Sequence, residues 1–167
     1  MAELVSSPNL EVQREAMQKL SFLAGTWAGE CRLHRGPGEA LLLAQTEQAQ
    51  YKLDGLILLI EGIGRAGSAD KPVLQALGII CYDDLSASYR MRAFNDGRFL
   101  EAQVKLMEDG KGLTWGFTLG PVRTASTLRI NEEGEWTELA EIAIGDQPPR
   151  RLLELAVHRV DESGLAV

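Results

Sequence analysis

The run Leu20-Ser21-Phe22-Leu23-Ala24-Gly25-Thr26-Trp27-Ala28-Gly29-Glu30 decides the fold. It carries a short amphipathic opening into Gly-Thr-Trp and then into an alternating segment. Gly25 permits a sharp turn and the close approach of another backbone or ring. Trp27 brings a large apolar ring with one N–H that needs a partner when buried, which suits a plug at the closed end of a β-barrel. With Trp27 inward, alternation puts Gly29, Cys31 and Leu33 inside and Glu30, Arg32 and His34 outside.

Upstream, the pattern predicts a helix from Asn9 to about Leu20: Ser7-Pro8-Asn9 starts it, Glu11 and Glu15 suit its positive end, and Leu10, Met17 and Leu20 share a face. Its expected role is to cover the barrel end beside Trp27. Downstream, turn signals such as Asp54-Gly55, Asn95-Asp96-Gly97, Asp109-Gly110 and Gly120-Pro121 divide the chain into about ten strands. The expected fold is all-β: an up-and-down antiparallel β-barrel of about ten strands with a short N-terminal helix, closed so that no edge is left exposed. It occupies 1–167 as a single domain, with 1–8 and 161–167 expected to be flexible.

Gly25-Thr26-Trp27 does not stand alone. Together with Tyr51-Lys52-Leu53-Asp54-Gly55, Glu61-Gly62, Leu113-Thr114-Trp115-Gly116-Phe117 and Gly134-Glu135-Trp136-Thr137-Glu138, it resembles the calycin superfamily of lipocalins, fatty-acid-binding proteins and nitrobindin-type barrels. Within it, the chain looks like a bacterial lipocalin-like group without an assigned function, from about Leu20 to Val160. The resemblance implies a lipocalin-like barrel and leaves the ligand open. Nitrobindin-type barrels bind haem through a histidine late in the chain, which makes His158 a candidate haem ligand. The chain departs from that pattern: Glu30-Cys31 stands where the glycine-rich run would continue, and the Tyr-Pro that follows there is missing. Arg159 resembles the late basic residue that lies over the signature tryptophan in many calycins.

Composition narrows the partners. The net charge of −7 and pI near 4.9 disfavour nucleic acid and anionic membranes, which both need a cationic face. No apolar run reaches the roughly 18 residues of a membrane-spanning helix. Cys31 and Cys81 lack Cys-x-x-Cys spacing and no secretory pattern opens the chain, so both are expected to be reduced in a cytoplasmic protein. With only His34 and His158 available, a histidine-based metal site is not expected, nor is any cofactor. Gly62-Ile63-Gly64-Arg65-Ala66-Gly67 fits G-x-G-x-x-G, but Ser68-Ala69-Asp70-Lys71-Pro72 follows where a dinucleotide fingerprint needs a helix, so it reads as a hairpin.

Charges inside apolar strands are the informative residues. In the second strand Thr46, Gln48, Gln50 and Lys52 form a wet face, leaving Gln45, Glu47, Ala49 and Tyr51 toward the lumen. Glu61 closes the run Leu56 to Ile60, and Glu154 lies within Leu152 to Val157, where a carboxylate is costly unless paired. Arg90, Arg92 and Arg123 are the candidate counter-charges. Trp115 and Trp136 read first as core, with ligand stacking as the alternative. The candidate ligand-binding set is therefore Glu47, Tyr51, Glu61, Arg92, Trp115, Glu138 and Glu154, with no catalytic residue or metal ligand assigned.

The leading expectation is non-catalytic binding of a small, largely apolar molecule inside the barrel. An isomerase or hydrolase using two carboxylates of raised pKa is the alternative, with Glu138 and Glu154 as one possible pair. A pocket carboxylate titrating near neutrality would favour chemistry; ionised, paired carboxylates would favour binding or structure. A barrel filled by its own side chains, serving structure or assembly, is the third reading.

Overall fold

The computed structural model describes residues 6–68, 71–161 and 163; the expected flexible ends lie largely outside the described residues. Strand β1 (Gly25–Leu33) carries the fully buried Trp27, whose indole N–H donates to Leu23 O at 2.9 Å. It is followed by β2 (Leu41–Lys52), β3 (Ile57–Arg65), β4 (Leu74–Asp83), β5 (Ser88–Asn95), β6 (Arg98–Leu106) and β7 (Gly112–Gly116). The two-residue β8 (Thr118–Leu119), then β9 (Val122–Ile130), β10 (Trp136–Ile144) and β11 (Arg150–Val160) complete the set.

Successive strands pair antiparallel from β1 to β7, β7 pairs with β9, and β9 runs through β10 to β11, while β8 extends the edge of β9. Pairing of β11 with β1, with Trp27 opposite Arg159, joins the ends of the sheet. The result is the expected closed antiparallel barrel of about ten strands. Ladder hydrogen bonds satisfy the strand backbones, and among the described residues no long edge is left to recruit another chain.

Alternation holds as expected in the first two strands. Trp27, Cys31 and Leu33 are buried while Glu30 and Arg32 are exposed; Leu43, Gln45, Glu47 and Ala49 are buried while Thr46, Gln48 and Gln50 are exposed. The core around Trp27 includes Leu43, Leu58, Ile80, Leu113, Trp136 and Val157. Fully burying such a side chain contributes ~1.5–3 kcal/mol. Trp27 and Trp136 meet edge to face, centroids 5.7 Å apart.

Helix α1 (Leu10–Gln18) is capped by Asn9, whose side chain accepts from the Val12 N–H, and a 3₁₀ turn over Ser21–Leu23 links it to β1. The helix sits across one barrel end because barrel tyrosines hold its last carbonyls. Tyr51 donates to Met17 O at 2.7 Å and Tyr89 to Ala16 O at 2.6 Å, while Asp84 accepts from the Asn9 N–H at the other end of the helix. Arg159 closes the same end: its guanidinium stacks 4.2 Å from the Trp27 ring centroid and donates to the carbonyls of Phe22 and Ala24. This is the placement its resemblance implied. Both cysteines are free, Cys31 on the inner face and Cys81 on the outer face opposite Arg90. No described helix is long and apolar enough to cross a membrane.

Candidate functional site

Among the described residues, the buried polar side chains are Gln45, Glu47 and Ser126, set in an otherwise apolar core. From β2, the alternation that buries Leu43 and Ala49 also buries Gln45 and Glu47, and the Gln45 amide donates to Glu47 Oε1 at 2.7 Å. Two glycines of the G-x-G-x-x-G run make room for them. A Cβ on Gly62 would stand 2.7 Å from Glu47 Oε2, and one on Gly64 would stand 2.6 Å from Gln45 Oε1. These glycines accommodate polar side chains from the neighbouring strand; they sit on a strand, with no helix to receive a phosphate.

Across the barrel, β10 carries Trp136, Glu138 and Ala140 inward. Glu138 Oε1 accepts from the indole N–H of Trp115 on β7 at 3.1 Å, with Ser126 of β9 also close. Glu138 keeps part of its accessible surface although protein surrounds it on every side, so that surface faces the lumen. Cys31 completes the cluster, near enough to both carboxylates that each disfavours its thiolate.

Burial dominates the electrostatics. It pushes the Glu47 carboxyl from 4.5 up to about 8, opposed by the Gln45 hydrogen bond and assisted by the negative charge of Glu138. Burial likewise raises the pKa of Glu138, against donors at Trp115, Ser126 and Trp136. Cys31 is pushed up to about 12 by burial and then by Glu47 and Glu138. Among the described residues, no lysine, arginine or histidine offsets either carboxylate. Two buried polar atoms remain without partners: Gln45 Oε1 and Trp136 Nε1. The Trp136 N–H lies close enough to Glu138 to favour its anion but does not close a hydrogen bond of proper geometry.

The candidates divide by face. Glu47, Tyr51, Trp115 and Glu138 point inward, although the Tyr51 hydroxyl is already committed to helix α1. Glu61, Arg92 and Glu154 do not line the lumen. Glu61 is exposed opposite Gln48 and Leu77 on the outer face, and Arg92 pairs there with Glu101 at 3.3 Å. Glu154 lies opposite Arg32 and accepts from Arg151 at 2.9 Å, with His34 at 2.8 Å; these partners hold its pKa below the usual carboxylate range. Glu138 and Glu154 therefore point to opposite faces, and the carboxyl that feels the charge of Glu138 is Glu47. His158 is opposite Ala28 on the outer face and exposed, so it cannot ligate a group held in the lumen. Ser126 escaped sequence reasoning because nothing in Val122–Ile130 marks one polar residue as inward before Trp115 is known to be its partner across the strands.

Two clefts lie away from the carboxylates. One, of about 330 Å³, is an outer groove between Glu61, Gln75, Leu77, Phe94, Asn95 and Asp96. The other, of about 420 Å³, opens beside helix α1 between Lys19, Tyr82, Tyr89, Val104 and Leu106. Val104 lies opposite Trp115, so the wall of this second cleft adjoins the indole that holds Glu138.

No protein-family model matches the chain, and no curated protein matches it. Among solved structures the fold is similar to the crystal structure of Rv2717c from M. tuberculosis, with a TM-score of 0.66 and 16% identity over 87% of this chain and 98% of that one. It is also similar to the S-type phycobiliprotein lyase CPES from Guillardia theta, with a TM-score of 0.59 and 8% identity over 89% of this chain and 92% of that one. The chain shares with both a lipocalin-like fold, a closed antiparallel barrel of about ten strands. At these identities the likeness carries the fold alone.

Proposed function

We propose that the protein binds a small, largely apolar molecule inside the barrel without transforming it, with Glu47, Glu138 and Trp115 as polar contacts. One observation carries this reading: among the described residues, a largely apolar interior holds the polar side chains of Gln45, Glu47, Ser126 and Glu138, and two buried polar atoms there, Gln45 Oε1 and Trp136 Nε1, lack partners. Small-molecule sites combine those two features, an apolar wall for affinity and a few fixed polar groups for orientation. The cleft beside helix α1 is the natural entrance, because Tyr82, Tyr89, Val104 and Leu106 belong to the inward-facing rows of their strands. A cytoplasmic setting and kinship with the bacterial lipocalin-like group belong to the same reading, the latter resting on the sequence motifs.

Native mass spectrometry of freshly purified protein, joined to titration with the neutral apolar dye Nile red, tests the proposal. A co-purifying small molecule, or saturable dye uptake at one site per chain, is the expected result. A clean unliganded mass with no saturable uptake would refute it.

A second reading is favoured by Glu47 itself. A carboxyl pushed up to about 8 keeps its proton at neutral pH, as a general acid must, and Glu138 stands nearby as a candidate base. An isomerase or hydrolase of this kind would show turnover with a bell-shaped pH profile, abolished in Glu47→Gln.

A further inference from the structure

The cluster in the lumen carries two carboxyl groups and the carbonyl of Gln45; its donors are the Gln45 amide, the Trp115 and Trp136 indoles and Ser126, none of them a cation, and the Trp136 N–H is itself without a partner. Glu47 uses one oxygen to accept from the Gln45 amide, and Glu138 uses one to accept from Trp115. Gln45 is 3% exposed, yet its Oε1 accepts from nothing and is directed at the bare backbone of Gly64 on the inner wall. None of the ion pairs among the described residues includes Glu47 or Glu138. Two carboxylates buried without a counter-charge are costly unless a proton or a bound cation neutralises them.

We infer that the lumen takes an amphiphilic amine, whose apolar body fills the barrel while its protonated amino group is held by Glu47, Glu138 and the carbonyl oxygen of Gln45. This rests on the small-molecule reading above and narrows the ligand class. An alkylammonium brings three N–H donors and a positive charge, which answers the three acceptors and the missing counter-charge together. A carboxylate head group would meet two acids and no cation. A neutral alcohol could satisfy Gln45 Oε1 but leaves the second acid without a counter-charge.

The proton balance is explicit. In the empty lumen Glu47, pushed up to about 8, carries a proton at neutral pH. An ammonium beside it favours the carboxylate, so Glu47 gives its proton to water as the amine enters with its own proton retained. The other titratable groups of the inner face are Cys31 from β1, Tyr51 from β2, Tyr82 from β4, Tyr89 from β5 and Glu138 from β10. Arg159 of β11 is held at the closed end by Phe22 and Ala24, and Arg98 of β6 is exposed at the rim, so neither supplies the charge.

The test uses three probes with one apolar body: 1-naphthylmethylamine, 1-naphthylmethanol and 1-naphthoate, titrated calorimetrically into the whole protein at about pH 7.5, where Glu47 is still largely protonated. The amine is expected to bind at least tenfold tighter than the alcohol, with the acid weakest. Repeating the amine titration in buffers of different ionisation enthalpy is expected to show proton release. Glu47→Gln should abolish that release, and both Glu47→Gln and Glu138→Gln should shrink the amine-to-alcohol ratio toward one. Equal affinities, or preference for the acid, would overturn the amine assignment while leaving the small-molecule reading intact. No binding of any probe would overturn both. Should a variant fail to fold, the wild-type affinity order and proton release decide the matter without it.

Discussion

Replacing Glu47 by Gln isolates the cost of a buried carboxylate. Glu47 is 8% exposed, and burial moves its pKa from 4.5 to about 8. In the folded state the acid stays protonated over a range in which the unfolded chain has already lost the proton. The folded form then binds more protons, so stability falls as pH rises through this window. The contribution is fully present below the unfolded pKa and is lost by the folded one. At ~1.4 kcal/mol per pH unit, the loss reaches ~3 kcal/mol at neutral pH and approaches ~5 kcal/mol at about pH 8. Gln has nearly the shape of the protonated acid and does not titrate. The variant and wild type are therefore expected to agree within ~1 kcal/mol near pH 5, with the variant gaining on wild type by up to ~1.4 kcal/mol per unit above that. Urea unfolding of both proteins at matched pH values measures the difference, and titrations far from the lumen cancel from it. A difference flat to within ~0.5 kcal/mol from about pH 5 to 8 would refute the argument, because Glu47 would then have the same pKa folded and unfolded.

Trp115→Phe removes the indole donor from Glu138 Oε1, so the variant is expected to lose ~1–2 kcal/mol and the Glu138 pKa to rise further, read by infrared carboxyl bands across pH. Arg159→Ala removes the cation over Trp27 and two bonds to the 3₁₀ turn, at an expected cost of ~1–2 kcal/mol because the arginine is exposed; thermal melts and the near-ultraviolet signal of Trp27 measure it. Cys31, buried and pushed up to about 12, is expected to resist a thiol reagent at neutral pH until the protein unfolds, whereas the partly exposed Cys81 reacts first.

Local chemistry was enough to establish the barrel, its helix and the faces of its first two strands. Gly25-Thr26-Trp27 set an inward reference that alternation carried through Cys31 to Leu33, and the polar row Thr46, Gln48 and Gln50 set the face of β2 that turns Glu47 inward. Beyond those strands the reference failed, because a carboxylate in an apolar run reads the same on either face. Glu61 and Glu154 are candidates because of their apolar neighbours and Arg92 as a counter-charge, with no face assigned to any of them; their outward faces are set by register against Gln48, Arg32 and Glu101 on adjoining strands. The β10–β11 irregularity between Ala140 and Glu141 is the kind of slip that makes late strands unreadable from alternation. The electrostatic influence was likewise tertiary: Glu47 and Glu138 belong to β2 and β10, far apart in the chain, and the charge of Glu138 reaches Glu47 only because β11 pairs with β1 to close the ring. The sequence by itself thus determined which segments extend and which residues plug the closed end, since turns, caps and alternation are local. Only closure of the barrel decided which acids share the lumen, because burial and mutual charge depend on what the sheet wraps around.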